Sequence, residues 1–273
     1  RNYRAGVIIR RATRFHHTRI FMTILQKLQQ AILPGEVLSV VVGVSRVAVA
    51  VRTEAGVRCG LSATLSNPEY LHYIQPAVRQ AGSLHKMTAV ELASMVESPS
   101  LTEAAIGLAT INALLPLDPA VMTDLNASDY IVRNCSAKNV ALIGHFPFVE
   151  RIRPDVKNLW VLELTPKKGD LPAEAAPEYI PRADILAITA TALINGTFDG
   201  LVSLCRPETE VLILGPSTPL SPILYDYGVN ILSGTLVLHP EETLLGIGQA
   251  GSTHMLQKQG HIRYVTMTSN DSK

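Results

Sequence analysis

The carboxyl ends of five predicted strands carry the residues that are best suited to chemistry in this chain. Each strand is a short apolar run that is followed at once by glycine or by side chains that form hydrogen bonds. In an open α/β sheet, ligands bind in the crevice beyond the carboxyl ends of the strands, so we expect these residues to share one binding site. The candidate ligand-binding residues of this group are Gly144, His145, Glu163, Thr191, Asn195, Thr197, Gly215, Pro216, Ser217, Thr218 and Gly234.

The spacing of Glu163 is typical of a ribose-binding acid. Glu163 lies 19 residues after Gly144, at the end of the second predicted strand, and Rossmann folds place such an acid about 20 residues beyond the first turn. The turn itself, Gly144-His-Phe-Pro147, has one glycine where the phosphate-binding fingerprint has three. Its bulky side chains would crowd a pyrophosphate, so an ordinary dinucleotide site is not expected.

Each candidate also has an ordinary structural interpretation. Asn195 or Thr197 can cap the helix after the third strand, and Ser217 can satisfy a turn. The convergence of five strand ends on one rim favours a binding crevice over these separate roles. Residues 167–170, Lys-Lys-Gly-Asp, would either add positive charge for an anionic ligand or form a solvated loop.

The sequence carries no motif of a known catalytic or metal centre. It has no GxSxG, HExxH or Walker A pattern. No pair of its eight histidines has the spacing of a metal pair on one helix, and only His145 is predicted to lie on the rim. Cys59, Cys135 and Cys205 are dispersed and odd in number, which indicates reduced, buried thiols. Whether the protein is an enzyme stays open.

Charge and hydropathy exclude two classes of protein. Residues 1–21 contain six arginines and no acid, and we expect this basic leader to lie outside the fold, either as a transit-like segment or as sequence upstream of Met22. The rest holds 18 Lys and Arg against 23 Asp and Glu, a net charge of −5, which does not suit nucleic-acid binding. No apolar run approaches the ~20 residues that span a bilayer. We therefore expect a soluble, cytoplasmic protein without a membrane partner.

Residues 22–118 are predicted to form an α+β domain. Three β-rich runs are separated by short turns that favour an antiparallel meander. These runs are residues 37–44, 47–51 and 57–65. Helical spacing of apolar residues covers 20–31, 68–80, 88–97 and 101–115. Strands followed by a run of helices are typical of the α+β class.

Residues 119–273 are predicted to form a doubly wound, Rossmann-like α/β domain, because strands and helices alternate along them. The predicted strands are 140–143, 159–164, 184–188, 211–214, 230–232 and 262–267. The predicted helices are 129–135, with Ser128 as N-cap, then 148–153, 198–205, 222–227 and 240–259. The order of the strands in the sheet cannot be read from the pattern.

Several of these stretches resemble a family of uncharacterised proteins that are described as putative heavy-metal chelation proteins. Two of them are Ile143-Gly-His-Phe-Pro147 and Leu214-Gly-Pro-Ser-Thr-Pro219. The other matching stretches are residues 57–65, 105–113, 189–197 and 232–234. They follow the family's order over nearly the whole chain after Met22, while residues 1–21 fall outside the resemblance.

The resemblance implies an enolase-N-terminal-like domain, a Rossmann-like domain and an active site between them. It implies that Glu163, Asn195 and residues 215–217 contribute to that site, and that Asn112 and the Cys59-Gly60 turn reach the same cleft. We expect a metal or a small polar, anionic or metal-chelating molecule as ligand. The alternative is an enzyme that uses a nucleotide-like or S-adenosylmethionine-like cofactor. A divalent transition metal or a nucleotide-like molecule is the expected cofactor class, and a homo-oligomer is compatible with the sequence.

Overall fold

The computed structural model of the chain describes residues 22–66 and 78–269, which form two β-sheets that share one hydrophobic core. The basic leader 1–21 and most of the predicted helix 68–80 lie outside the described residues. Within the described part, no helix is both long enough and apolar enough to cross a membrane.

The first sheet is the predicted antiparallel meander. Its strands are β1 (Glu36–Val42), β2 (Arg46–Thr53) and β3 (Gly56–Ala63), in that order. Three helices accompany it: α1 (Ile24–Gln30), α2 (Ala89–Ser94) and α3 (Leu101–Leu114). Thr23 and Thr88 begin α1 and α2 with reciprocal capping boxes, in which the threonine accepts from the third helical N–H.

Both faces of the central strand β2 are buried. Along β2, Val47, Val49 and Val51 belong to the core that contains α3. The intervening Ala48 packs against Ile247 of α9 (Pro240–Gly248), a helix that belongs to the second half of the chain. Burial on both faces explains why β2 is a continuous apolar run instead of an alternating one.

The second sheet has seven strands among the described residues. They are β4 (Asn139–Ile143), β5 (Asn158–Glu163), β6 (Leu171–Pro172), β7 (Ile185–Thr189), β8 (Glu210–Leu214), β9 (Ile231–Val237) and β10 (Ile262–Thr268). Their order is β10-β9-β8-β7-β4-β5-β6, and only β10 is antiparallel to its neighbour. Since β4 lies between β5 and β7, the winding reverses at β4, and such switch points open a ligand crevice.

Helices cover both faces of this sheet. One face packs on α4 (Ala127–Asn134) and α5 (Val149–Ile152). The other packs on α6 (Ala176–Tyr179), α7 (Thr191–Ile194), α8 (Phe198–Val202) and, across the shared core, the first domain. The predicted fold class, α+β followed by mostly parallel α/β, is confirmed. The enolase likeness and the boundary between residues 118 and 119 stay predictions.

Three details of the predicted elements are wrong. The helix predicted over 240–259 is two helices, α9 and α10 (Thr253–Lys258), because the chain turns at Ala250 (φ 63°) and Gly251. Asn126, and not Ser128, caps α4, since its side chain accepts from the Ser128 N–H. The short edge strand β6 and the helical turns of residues 173–182 were not predicted, since prolines at 172, 177 and 181 interrupt any helical or alternating pattern.

Gly60 sets the distance between β3 and α3. A Cβ atom at Gly60 would lie 2.1 Å from the Ala109 carbonyl oxygen and 2.3 Å from the Ala113 nitrogen, both in the α3 backbone. Backbone atoms cannot rotate away as a flexible side chain can, so the helix itself would have to move. Only glycine therefore permits the observed packing of α3 on the sheet.

We expect Gly60→Ala to lower the free energy of unfolding by about 1–3 kcal/mol, the usual cost of overpacking. Gly200→Ala is the matched control, because a Cβ at this position in α8 meets nothing within 4 Å, and alanine there should be neutral or stabilising. Urea denaturation of both variants measures the difference. Equal stabilities would show that α3 can move away from β3 without cost.

Candidate functional site

A crevice with a volume of about 500 Å³ lies beyond the carboxyl ends of β4 and β8, beside the middle of β9. Gly215 and Pro216 line it from the turn after β8, and Ser233 and Gly234 line it from β9. Arg46 reaches the same crevice from the start of β2, in the first sheet. The crevice therefore has walls from both sheets, and it contains Gly215, Pro216 and Gly234 of the candidate residues.

Arg46 is the charged group of the crevice that has no countercharge. Its Nη1 donates to the Ser45 carbonyl at 2.6 Å, while its Nε is buried without a hydrogen-bond partner. No ion pair of the described residues includes Arg46. Burial lowers the pKa of the guanidinium below its usual value, and Tyr264 acts in the opposite direction. An arginine nevertheless stays protonated in proteins, so the crevice contains an unpaired positive charge.

Part of the wall of the crevice is aromatic. The rings of Phe146 and Phe148 stack with centroids 5.2 Å apart and planes 10° from parallel. Beside them, Arg151 donates to Ser128 at 3.0 Å and to Asp129 at 2.9 Å. Because Asp129 already neutralises Arg151, the uncompensated charge in the crevice comes from Arg46.

Glu163 holds the turn after β4 in place. Its Oε1 accepts from the His145 backbone N–H at 2.6 Å, and its Oε2 accepts from the Leu164 N–H at 3.2 Å. Gly144 makes this turn possible with φ of 109°, a conformation that costs other residues energy. Both carboxylate oxygens thus bond the backbone, and the predicted contact of Glu163 with a ligand stays a prediction.

His145 is paired with a buried carboxylate. Its Nδ1 lies 2.9 Å and 3.0 Å from the two oxygens of Asp170, whose side chain is only 1% exposed. Asp170 also accepts from the Lys167 N–H at 3.1 Å. The loop 167–170 therefore directs a carboxylate towards His145. Such a pair orients the imidazole and leaves Nε2 for a proton transfer or for a metal bond.

Three further candidates, Thr191, Asn195 and Thr197, bond to side chains two residues away in the sequence. Thr191 shares a hydrogen bond of 3.0 Å with the Thr189 hydroxyl at the end of β7. The Asn195 side-chain oxygen accepts from the Thr197 N–H at 3.2 Å and from its hydroxyl at 2.8 Å. These bonds form an Asx turn before α8. The N-cap residue of α8, Thr197, makes no capping hydrogen bond with its side chain, so the predicted helix cap at these residues is wrong.

Ser217 and Asn112 connect the two sheets. The Ala63 N–H of β3 donates to the Ser217 Oγ at 2.7 Å. The Asn112 Nδ2 of α3 donates to the carbonyls of Leu61 and Ser217 at 2.9 Å and 3.0 Å. Thr218, Asn112 and Cys59 line a second, smaller cavity. The candidate residues therefore lie in separate places: the crevice, the turns after β4 and β7, and the junction of the two sheets.

The described side chains do not fit a bare heavy-metal ion. Across residues 22–66 and 78–269, no three His, Cys, Asp or Glu side chains are close enough to share an ion. Burial raises the pKa of Cys59 to about 12 and that of Cys205 to about 11, and it also raises the pKa of Cys135. Thiols bind soft metals as thiolates, so protonated and separated cysteines form a poor site.

Arg46 was missed from the sequence, and the role of Asp170 was not predicted although its loop was named. Arg46 is the only charged residue within 37–51. A single charged residue in an apolar stretch is the signal that could have indicated a functional role. Asp170 had no such signal, because it follows two lysines in a polar loop and its partner His145 is 25 residues away in the sequence.

Two family models, both described as putative heavy-metal chelation, match the chain over residues 25–115 and 126–266. An uncharacterized protein from Methanocaldococcus jannaschii is 24% identical over 181 residues, which cover 64% of this chain and 70% of that protein. A crystal structure of a DUF364-family protein of unknown function from Desulfitobacterium hafniense is 25% identical, with a TM-score of 0.74. A second crystal structure, of a DUF364-family protein of unknown function from Pyrococcus horikoshii, is 19% identical, with a TM-score of 0.76, and shares the fold. Both alignments cover 90% of this chain and 98% of the other.

We expect Glu163→Gln to lower the free energy of unfolding by about 1–2 kcal/mol. The amide keeps one acceptor oxygen, but its NH2 group then faces a backbone N–H that the carboxylate had bonded. Glu178→Gln, on the exposed surface of α6, is the control. Urea denaturation at neutral pH compares them. If both variants match the parent, the Glu163 carboxylate is not needed for the turn and is free to serve a ligand.

The three cysteines should react slowly with a thiol reagent in the folded protein. At pH 8 a thiol with a pKa of about 11 is only about 0.1% ionised, against about a quarter for a free thiol of pKa ~8.5. Absorbance of the released product of Ellman's reagent measures the rate. We expect native rates at least about 100-fold below those in urea. A fast native reaction would contradict the protonated state on which the metal argument depends.

Proposed function

The chain belongs to the DUF364 family, described as putative heavy-metal chelation, and we propose that it binds a small, planar, anionic molecule that can chelate a metal. The binding site is the crevice between the turn after β8, β9 and the start of β2. The observation that carries the proposal is the unpaired guanidinium of Arg46, with its buried Nε, in that crevice.

The anionic character of the ligand follows from the cost of burying a charge. A buried cation without a partner is unfavourable, and the cost falls when an anion supplies the missing countercharge. Arg46 offers a planar set of N–H donors that matches a carboxylate in a two-point contact. The N-terminal residues of α4, Asn126 to Ser128, line the same crevice and add the partial positive charge of a helix end.

The planar shape proposed for the ligand follows from the aromatic part of the wall. Phe146 and Phe148 present two nearly parallel rings, which favour contact with a flat, unsaturated molecule. The volume of about 500 Å³ lies within the range of sites for small molecules, about 300–1,000 Å³. The crevice is thus large enough for one heterocycle with carboxylate substituents.

The metal, in this proposal, enters as part of the ligand. The described side chains offer no three-residue set for an ion, and the guanidinium of Arg46 repels a bare cation. A metal complex in which the carboxylates carry more charge than the metal is an anion. The guanidinium of Arg46 attracts such a complex, whereas it repels the bare metal ion. A nucleotide-like cofactor has less support, since the oxygens of Glu163 bond the backbone N–H groups of His145 and Leu164.

Isothermal titration calorimetry with pyridine-2,6-dicarboxylate, alone and as the anionic complex of two dicarboxylates with one zinc ion, tests the proposal. We expect both forms to bind the parent protein, and Arg46→Met to weaken binding by about 10- to 100-fold, as for loss of a charged hydrogen bond. Methionine keeps the apolar stem of the arginine. Arg52→Met is the control, because Arg52 lies on the same strand in an exposed pair with Glu36.

The titrations distinguish the proposal from direct chelation. Zinc ions that bind with a dissociation constant below about 1 μM in the absence of the dicarboxylate would contradict it and would show that the side chains themselves hold the metal. Dicarboxylate binding that is equal in the parent and in Arg46→Met would place the ligand elsewhere. Loss of binding in Arg52→Met as well would show a general charge effect instead of a site.

A further inference from the structure

Three donor groups of the crevice are accessible and have no partner in the described part of the chain. They are the Nη2 group of Arg46, the Thr253 hydroxyl and the Tyr264 hydroxyl, and all three residues line the crevice. None of these atoms forms a hydrogen bond with a described residue, and none belongs to the buried unpaired atoms. In contrast to the enclosed Nε of Arg46, they are therefore open to a ligand.

One hydrophobic cluster brings the three donors together. The cluster contains Ala48 of β2 and Leu256 of α10, and Tyr264 of β10 packs against it. Arg46 lies two residues before Ala48, so both side chains point to the same face of β2. Thr253 lies three residues before Leu256, so these two share one side of α10. The donors from β2, α10 and β10 therefore surround one part of the crevice.

Tyr264 lies close enough to Arg46 to act on its charge. Burial lowers the pKa of the Arg46 guanidinium, and the phenol group of Tyr264 raises that pKa in part. An electrostatic effect of this kind decreases with the distance between the two groups. A ligand group that accepts hydrogen bonds from Arg46 therefore also lies near the Tyr264 hydroxyl.

The three groups together require an acceptor with several lone pairs. A guanidinium can only donate, whereas a hydroxyl can donate or accept. Beside a bound anion, both hydroxyls would direct their hydrogens towards it. The two N–H bonds of the Arg46 Nη2 and the two hydroxyls then supply about four donors, and a carboxylate has about four lone-pair sites on its two oxygens. One carboxylate can thus accept from the whole set.

An amide of the same shape does not match these donors. It has a single acceptor oxygen, and its NH2 group would face the N–H groups of Arg46 without an acceptor between them. A site that is built from hydrogen-bonding groups discriminates strongly against a ligand that leaves those groups unpaired. The donor set therefore distinguishes an ionised carboxylate from its amide.

We propose that Thr253 and Tyr264 are specificity-determining residues of the crevice, which bind the same carboxylate of the ligand as Arg46. This inference rests on the proposed function, because it concerns the acidic group of the ligand proposed there. It adds that the ligand is recognised through one fully ionised carboxylate, held by donors from β2, α10 and β10 together.

Calorimetry of the full chain with pyridine-2,6-dicarboxylate tests the two assignments. We expect Tyr264→Phe and Thr253→Val each to weaken binding by about 10-fold, because each removes one hydrogen bond to a charged group at nearly constant shape. Pyridine-2,6-dicarboxamide has the same outline without the charge. It should bind the parent protein at least about 100-fold more weakly than the dicarboxylate.

The double variant Arg46→Met/Tyr264→Phe tests whether the two residues hold the same carboxylate. Residues that act on one ligand group have effects that do not multiply. We therefore expect Tyr264→Phe to weaken binding by only about 2-fold in the Arg46→Met background, against about 10-fold in the parent. An equal loss in both backgrounds would show that Tyr264 contacts a different group, and would overturn the shared carboxylate.

Tyr179→Phe is the matched control for Tyr264→Phe. Tyr179 is an exposed tyrosine of α6 that packs against Trp160, and it does not line the crevice. We expect its replacement to leave the affinity unchanged. The melting temperatures of ligand-free Tyr264→Phe and Thr253→Val should equal that of the parent, since neither hydroxyl has a described protein partner to lose. A lower melting temperature would indicate a structural role instead.

The outcomes separate this inference from the proposed function. If the dicarboxylate does not bind the parent protein, the proposed function fails and this inference fails with it. If the parent binds and Arg46→Met weakens the binding, but Tyr264→Phe and Thr253→Val bind like the parent, only the roles of these two residues are overturned. Equal affinities for the dicarboxylate and the dicarboxamide would contradict the recognition of charge on which both proposals depend.

Discussion

The hydrogen bond from the Ala63 N–H to the Ser217 Oγ joins the two sheets, and the positions of both cavities depend on it. Ser217 is almost fully buried, and a broken bond would leave a buried donor and acceptor without partners. Asn112 reinforces the same junction by donating to the Ser217 carbonyl. The turn after β8 is thereby held against β3. That arrangement brings Arg46 of the first sheet to the carboxyl ends of the second, where the crevice forms.

The packing of the first sheet explains why the two halves of the chain form one body. Its strands are buried by α3 on one face and by α9 on the other. Close approach on both faces requires glycine: Gly60 lies against the backbone of α3, and a Cβ at Gly43 would lie 2.4 Å from the Ile247 carbonyl oxygen of α9. Since α9 follows the parallel strands in sequence, the first sheet cannot bury its second face without the second half of the chain. The crevice therefore forms between elements with little freedom to separate.

The sequence predicts the fold better than the site, and particular residues show why. The strands β4, β7 and β8 are short apolar runs that end in small or polar residues, so local pattern was enough to find them. The same pattern placed Gly215 and Pro216 at the end of a parallel strand, and both line the crevice. It also ended the fifth strand before Gly234, whereas Gly234 lies inside β9 and lines the crevice from there. Arg46 could not be placed there, because its position depends on contact between sheets that no local pattern encodes. Nor could the pattern separate Ser217, which bonds the other sheet, from its neighbour Pro216, which lines the crevice.

The charges of the thiols and guanidinium groups bear on the description of the family as putative heavy-metal chelation. A site that chelates a heavy-metal ion directly would gather thiolates or carboxylates around a point, whereas burial keeps the three thiols of this chain protonated and apart. The described part of the chain instead places unpaired guanidinium groups beside both cavities. Positive charge attracts an anion and repels a free cation, and the effect is strong where water is largely excluded. Under the proposed function, a metal would reach this protein inside a complex whose organic ligands outweigh its charge, so that the protein would recognise the chelator and the chelator would hold the metal.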